Sequence, residues 1–577
     1  MNRDRIRSCI EELGYATRLT EAGSKLMVEF VARGRTVTLA HTFPVQDEML
    51  RLPKFYLVDN HGFGKLAHVG TDENGEYGEV CIADPSSTAV NMDQPELAYR
   101  DTVEEHVKSL TRLIEDPACN RLEQLREFDA HWKILCDSEL GEPNELFVAW
   151  GGDKCEGLQV KPFDAESGCD LHTRPIALSG TFANDRRLAL VRASAGWGTR
   201  QVVGKAIAAR LDDLEPAPST QRDLLEWYFR VVARVDGADR RELRRFHKKN
   251  SREYWLVFSA PIPDGESMFA LHWRAPSKSS LPTSQEEVKA GRWTATPYRV
   301  RSLSRGSLVP RGGGSLDLTS KSVLLVGCGS VGSDLALRLT SAGVGNLTIS
   351  DPEMFSEENL YRHTLSVKDI GRFKTEALAE EIAGKHPWTE TTPWRKSLQD
   401  LRDSVVLQAF DLVMIAIGSP NAERLFAEFC MDEEVRVPII NCWLEGYGIG
   451  GHAIIVVPGT KGCWRCAYVD PTTLTRGLVS NLNFPAPGQI VMRNHGGCGT
   501  QFLPYSGVAA GYTGSIAADL AVRFLEGQVT YSSKVSWKGA DVDAQRDSLA
   551  VTRRYRHFSE SLHVLPLYDE NCDFCGG

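Results

Sequence analysis

A chain of 577 residues has room for roughly three or four domains, and 42% hydrophobic with 25% charged residues is the make-up of a globular protein. A net charge of −10 excludes a general nucleic-acid binder, which would be basic, and no apolar run reaches the roughly 18 residues of a membrane span. The opening MNRDRIRSCIEELGY lacks the apolar core of a signal peptide, so the chain reads as cytoplasmic. Its 14 cysteines are then expected as thiols, and paired ones point to metal or catalysis rather than disulfides.

Residues 1–142 read as the first domain. Ile6, Ile10 and Leu13 have helical spacing, Lys25–Ala32 and Arg35–Phe43 read as strands joined at Arg33-Gly34, and Phe55–Asp59 as a third. A loop holds His68, Asn74 and Cys81. Pro95–Glu115 is an amphipathic helix with Val103, Val107, Leu110 and Ile114 on one face, and Arg121–Leu135 reads as another. This order, with Phe43-Pro44 and a Gly-x-x-Cys-Ile string ahead of helices, resembles a ubiquitin-conjugating domain of α+β class. The resemblance implies that Cys81 is its thioester cysteine, an exposed thiol that receives an acyl group from another cysteine and passes it to an amine. The family's His-Pro-Asn tripeptide is missing: Thr71 and Glu73 stand in its register, with His68 and Asn74 the nearest substitutes.

Residues 143–300 read as a mixed α/β middle domain that spaces or dimerises its neighbours. Leu146–Trp150, Arg187–Arg192, Glu253–Ser259 and Met268–Trp273 are predicted strands, and Thr199–Leu214 and Gln221–Val235 predicted helices. Arg240–Lys249 is a basic run, read as a solvated helix face or as a patch for an acidic partner. Residues 301–316, rich in Gly, Ser and Pro, read as an exposed linker.

Residues 317–577 open on a buried strand, Ser322–Val326, then Gly327-Cys328-Gly329-Ser330-Val331-Gly332, a helical pattern to Ser341, and a strand Asn346–Ser350 ending at Asp351. That is the order of a nucleotide-binding βαβ unit, in which glycines let a phosphate approach the free N–H groups of a helix N-terminus. Asn359-Leu-Tyr-Arg362 and Gly371-Arg-Phe-Lys374 follow. The four elements together resemble the adenylating domain of the MoeB/ThiF and ubiquitin-activating superfamily, a Rossmann-like fold. The resemblance implies ATP with Mg2+, Asp351 on the ribose, Asn359 and Arg362 on the phosphates, and Lys374 on phosphate in the transition state. It also implies a homodimer through this domain, with Arg305 or Arg301 reaching the neighbour's ATP. Where the family carries an Asp-Asn pair near the metal, this chain has Ser419 and Pro420, which leaves Ser419, Glu353 and Glu445 as candidates to serve Mg2+.

Cys463-Trp-Arg-Cys466 and Cys572-Asp-Phe-Cys575 supply the four thiolates of a structural Zn2+ knuckle. Between them runs a long crossover segment, Asp470–Pro504, ahead of a predicted helix Val508–Leu525. Cys498, flanked by glycines and near His495, matches the position of the superfamily's acceptor cysteine.

An activating and a conjugating domain on one chain resemble the fusion proteins of bacterial CBASS anti-phage systems. The resemblance implies an enzyme that adenylates the C-terminal glycine of a partner protein, passes it to Cys498 and then Cys81, and conjugates it to a lysine or other amine; in that family the partner is a CD-NTase. The alternatives are an activating and conjugating enzyme for a small ubiquitin-like modifier, a sulfur-carrier adenylyltransferase, and a scaffold with decayed sites. Neither nucleic acid nor membrane is an expected partner.

Overall fold

The computed structural model describes residues 2–20, 23–44, 52–58, 62–70, 78–82, 93–136, 144–150, 155–161, 175–179, 204–235, 237–494 and 501–576. They fall into two units, one within residues 1–304 and the other from 305 onward.

In the first unit, α1 (Arg3–Glu11) precedes an antiparallel sheet in chain order: β1 (Ala16–Thr20), β2 (Lys25–Ala32), β3 (Arg35–Thr42), β4 (Phe55–Leu57) and β5 (Gly78–Val80). Leu26, Val28 and Phe30 of β2 and Val37 and Leu39 of β3 alternate onto one face. α2 (Pro95–Glu115) completes this core with Tyr99, Val103, Val107, Leu110 and Ile114. The single helix predicted over Arg121–Leu135 is two, α3 (Pro117–Arg126) and α4 (Phe128–Cys136), because Glu127 between them leaves helical geometry at ψ 15.

A closed barrel follows, in the order β10-β11-β12-β6-β8-β7-β9. Its strands are β6 (Glu145–Ala149), β7 (Glu156–Lys161), β8 (Ile176–Ser179), β9 (Lys205–Arg210), β10 (Ser251–Ile262), β11 (Gly265–Ser279) and β12 (Thr294–Ser302). β9 corrects the helix predicted over Thr199–Leu214. Ile207 and Ala209 enter one core cluster and Ala208 another, so the segment is buried on both faces and its alanine-rich run reads as helical only in isolation. The predicted strand at 187–192 lies outside the described residues. The helices α5 (Leu224–Val232) and α6 (Gly237–His247) pack on the barrel, the latter carrying the basic run. Phe128 and Trp132 of α4, Trp227 and Tyr228 of α5 and Phe269 of β11 form one aromatic core, with Trp132 4.9 Å from Phe269 and 5.3 Å from Trp227.

The stretch expected as an exposed linker is ordered. β12 runs to Ser302 and pairs in parallel with β6, Val300 opposite Leu146, and a short helix, Arg305–Arg311, follows. Ladder hydrogen bonds to β6 outweigh a composition that favours coil.

The second unit is a doubly wound α/β layer. Its sheet has the order β15-β14-β13-β16-β17-β18-β21-β22, from β13 (Ser322–Val326), β14 (Asn346–Ser350), β15 (Glu390–Trp394), β16 (Leu412–Ile415), β17 (Ile439–Leu444), β18 (Gly450–Val456), β21 (Ser533–Lys538) and β22 (Leu565–Pro566). β19 (Arg493–Asn494) and β20 (Gln501–Phe502) pair apart from it. β13 is buried on both sides. Val323 and Leu325 lie in the cluster that includes α7 (Ser330–Ser341), α8 (Lys374–Lys385) and α10 (Gly507–Leu525), and Leu324 and Val326 in that of α9 (Pro420–Asp432). No helix among the described residues is long and apolar enough to cross a membrane.

Candidate active site

The order in which strands are added reverses at β13, which has β14 parallel on one side and β16 parallel on the other. The crevice at such a switch point is where open α/β sheets take ligands. Here the glycine turn sits at the C-terminal end of β13. Gly327 has φ +95 and a Cβ there would lie 2.7 Å from Ala416 O; a Cβ on Gly332 would lie 1.8 Å from Gly327 O. Both positions therefore require glycine, the first for the turn and the second for the close approach of α7. Gly329 caps α7, and the space beside it is open.

A cavity of about 490 Å³ opens at this point, lined by Gly329, Ser330, Ala416–Gly418 and Glu445, and closed on one side by Val491 and Leu503 of the crossover segment. Asp351 is buried beneath the turn, its Oδ2 accepting from Cys328 N at 2.7 Å and its Oδ1 from Glu353 N at 2.8 Å. His363 donates from Nε2 to Cys328 O at 2.7 Å while its Nδ1 accepts from Leu365 N, which fixes the tautomer. Burial lowers its pKa to about 4, so it is a neutral tie between the turn and the Arg362 segment. The Arg362 guanidinium lies 4.8 Å from the centre of the Tyr505 ring, and Tyr505 Oη donates to Ser330 Oγ at 3.3 Å. Lys374 is buried, with Nζ 2.5 Å from Glu353 Oε2. Asn359 donates to Ser356 Oγ at 2.8 Å on the same stretch. Asp351, Arg362 and Lys374 thus gather around the turn. Arg305 does not: its guanidinium donates to Trp388 O.

No motif singles out Glu423, on the first turn of α9. It lines the same cavity, its Oε1 accepting from Ser419 N and its Oε2 from Asn441 Nδ2, each at 3.2 Å. Burial raises its pKa to about 7. A carboxyl whose folded pKa lies above its unfolded value stabilises the fold fully below the unfolded value, near 4.5, and loses that contribution as pH rises through about 7. Glu423→Gln keeps the neutral form, with the Asn441 amide turned to accept. It is expected to be more stable than the native chain by about 1–3 kcal/mol at pH 8 and equal to it near pH 4.5, checked by denaturant melts at both.

Glu445 and Glu353 differ in freedom. The Glu445 carboxylate accepts from Phe484 N at 2.9 Å and meets His452 Nε2 at 3.1 Å, deep in the core. The Glu353 side chain is 69% exposed.

Cys498 and His495 lie outside the described residues, but the flanking backbone is described. β19 and β20 pair Arg493 with Phe502 and Asn494 with Gln501, and Val491 and Leu503 beside them line the cavity.

The four paired cysteines converge. Cys463 Sγ is 4.0 Å from Cys466 Sγ and 3.5 Å from Cys572 Sγ, and Cys466 Sγ is 3.3 Å from Cys575 Sγ. All four sulfurs lie within 4.8 Å of one another. A disulfide needs about 2 Å, whereas a tetrahedron with metal–sulfur bonds of about 2.3 Å needs about 3.8 Å between sulfurs. The donor set fits a tetrathiolate metal.

In the first unit, Cys81 is exposed just after β5. Its N–H donates to His68 O at 2.8 Å, and Val69 bridges to Val80 beside it. His68 has φ +60, uncommon outside glycine. The strain is held by α3 and the residue that ends it: Asn120 Oδ1 accepts from Ala67 N at 2.9 Å, Gln124 donates to Lys65 O at 2.6 Å, and Glu127 accepts from His68 N at 2.7 Å. Glu127 Oε1 also lies 2.6 Å from His68 Nδ1, and Glu123 Oε2 3.7 Å from Nε2. The bond to Glu127 raises the His68 pKa against its partial burial, with Glu123 and the Cys81 backbone adding to it. Thr71, Glu73 and Asn74 lie outside the described residues. Glu123 and Glu127 were not legible in the sequence, where carboxylates four apart on a helix read as solvated charge.

Residues 306–561 match the ThiF family model. The chain is 23% identical over 362 residues to the ATP-dependent ubiquitin transferase-like protein Cap2 of Escherichia coli, across 58% of this chain and 59% of that protein. It is 24% identical over 319 residues to the Pseudomonas aeruginosa protein of the same name, across 54% and 56%. The chain therefore spans less than two thirds of the length of these relatives. It is also 30% identical over 169 residues to the Yarrowia lipolytica adenylyltransferase and sulfurtransferase UBA4, across 29% and 42%. A solved structure of E. coli MccB with ATP aligns with 47% of this chain and 71% of its own at 17% identity and a TM-score of 0.31. The chain thus carries a ThiF-family domain in its C-terminal unit and is a relative of the bacterial ATP-dependent ubiquitin transferase-like proteins.

Proposed function

We propose that this protein activates the C-terminal glycine of a partner protein with ATP and conjugates it to an amine, as an anti-phage CBASS enzyme whose partner is a CD-NTase. The observation that carries the reading is the gathering of Asp351, Arg362 and Lys374 around the glycine turn at the switch point. The partner's carboxylate oxygen attacks the α-phosphorus and pyrophosphate leaves with the bonding pair. Free N–H groups at the start of α7 and the cations of Arg362 and Lys374 neutralise the charge that develops there. The Cys498 thiolate then attacks the acyl carbon and AMP leaves. The Cys81 thiolate displaces Cys498 in turn, and an amine displaces Cys81, losing its proton as the amide forms. The His68 imidazolium, bonded to the Cys81 backbone, supports the charged states of that exchange in place of the absent Asn.

Bound Mg2+ would neutralise charge on the leaving pyrophosphate. Of the nearby acids Glu423 and Glu445 are buried with their partners, and the exposed Glu353 is the one that would hold it. Zn2+ held by Cys463, Cys466, Cys572 and Cys575 would pin the C-terminal tail to the sheet. Cys572→Ser is expected to reduce bound zinc from one per chain to about none and to lower Tm by about 5–10 °C, read by elemental analysis and calorimetry. The domain is proposed to work as a homodimer.

The test is ATP–pyrophosphate exchange with a glycine-ended CD-NTase, followed by non-reducing gels and intact mass. Adducts on Cys498 and then Cys81 support the reading. Exchange with a small modifier and not with the CD-NTase would favour the modifier pathway, and no exchange with either a scaffold.

A further inference from the structure

Tyr505 stands where the crossover segment ends, between Pro504 and the Ser506 cap of α10, and none of the motifs of this unit contains it. Its backbone is anchored on both sides. Pro504 O accepts from Tyr447 N, and Ser506 Oγ accepts from Ala509 N at 3.2 Å. Two residues after Tyr505, a Cβ placed on Gly507 would lie 3.2 Å from Tyr361 O and 3.5 Å from Arg362 Cα, so this corner is laid against the Arg362 segment itself. The Tyr505 side chain lines the cavity at the glycine turn, and its hydroxyl is tied to Ser330 Oγ on the first residue of α7. An aromatic plane held at base and tip has little freedom left, and the Arg362 guanidinium lies over it, 4.8 Å from its centre.

The neighbouring cations are held in another way. Lys374 sits on Glu353, and Arg372 on Asp369 and Glu380 at 3.0 and 2.7 Å. Arg362 pairs with no carboxylate among the described residues. Its Nε is enclosed without a hydrogen-bond partner, so an anion can be met by Nη1 and Nη2 alone. The two kinds of support differ in what they leave free. A carboxylate fixes a cation by neutralising it, and it occupies donors that a phosphate would need. The negative face of a ring fixes the guanidinium and leaves its charge and its in-plane donors unused. A long side chain held in this way gives up its rotamer freedom before the ligand arrives rather than on binding.

We propose that Tyr505 is a positioning residue for the adenylation step, holding Arg362 in place with its charge intact for the phosphates of ATP; this rests on the phosphate-binding role given to Arg362 above. Tyr505 acts through the guanidinium and not on the reacting atoms.

The experiment is ATP–pyrophosphate exchange by the full chain, with whichever glycine-ended partner, CD-NTase or small modifier, supports it in the native chain. Tyr505→Leu removes the ring face and is expected to slow exchange about tenfold, whereas Tyr505→Phe keeps it and stays within about threefold of the native rate. Pentafluorophenylalanine placed at 505 separates shape from charge, because it keeps the ring and drains its negative face. Exchange is then expected to fall about fivefold below that of Tyr505→Phe at the same Tm. On an Arg362→Gln background, chains with Tyr505 and with Tyr505→Leu should agree within about twofold, since the ring has no cation left to hold. Native exchange, together with a Tyr505→Leu or pentafluorophenylalanine rate equal to that of Tyr505→Phe, overturns the inference and leaves the proposed function standing. So does a further tenfold loss from Tyr505→Leu on the Arg362→Gln background. Absence of exchange by the native chain with either partner overturns both.

Discussion

Lys374→Ala is expected to slow ATP–pyrophosphate exchange by about 100- to 1,000-fold while leaving the fold intact. The ammonium is buried beside the glycine turn, where a charge acts through protein rather than water, and its present partner, Glu353, is mostly exposed. Loss of the cation therefore leaves no carboxylate stranded in the core, and the melting curve should move little. Lys374→Arg is expected to fail as well, because a planar fork cannot occupy the place of a compact ammonium at 2.5 Å from Glu353. Exchange within twofold of the native rate in Lys374→Ala would sink the role given to Lys374.

The second large effect is at Cys81. Cys81→Ala is expected to abolish conjugation while a reductant-sensitive adduct accumulates on the second unit, seen on non-reducing gels. Unchanged conjugation would make Cys81 a structural thiol. His68→Gln separates positioning from chemistry at the same site. Contact with Glu127 raises the His68 pKa, so the native cation is present below it and lost as pH rises through it. The native chain should therefore transfer about tenfold faster than His68→Gln at low pH, and the ratio should approach one at high pH. A ratio constant with pH would mean that His68 only shapes the loop.

The C-terminal unit was largely legible in the sequence because its elements are local and strongly patterned. Ser322–Val326, the glycine turn, Asn346–Ser350 and the helix from Lys374 fall where periodicity and turn chemistry put them. So does the cysteine cluster, whose spacing predicts four sulfurs in one place. The barrel was not legible. Its closure depends on β12 meeting β6 and β9 meeting β10 across long stretches of chain, and such pairings leave no local signature. β9 shows the cost most plainly, since a strand buried on both faces loses the alternation by which strands are found. The supports of Cys81 were illegible for a related reason. Glu123 and Glu127 are ordinary surface residues until the loop at His68 folds down onto them.

The helix α4 bears on how the N-terminal unit can be divided. Phe128 and Trp132 follow directly on the helix that holds the His68 loop, yet both are inserted in the aromatic core of the barrel. A cut near residue 142 would strip both rings of their partners and leave them facing water, an invitation to self-association in a short fragment. A cut after Ser304 leaves every ring of that cluster its neighbours. The thiol at Cys81 is therefore not a portable module. Swapping it between chains means carrying the barrel with it, and the two should be inherited together.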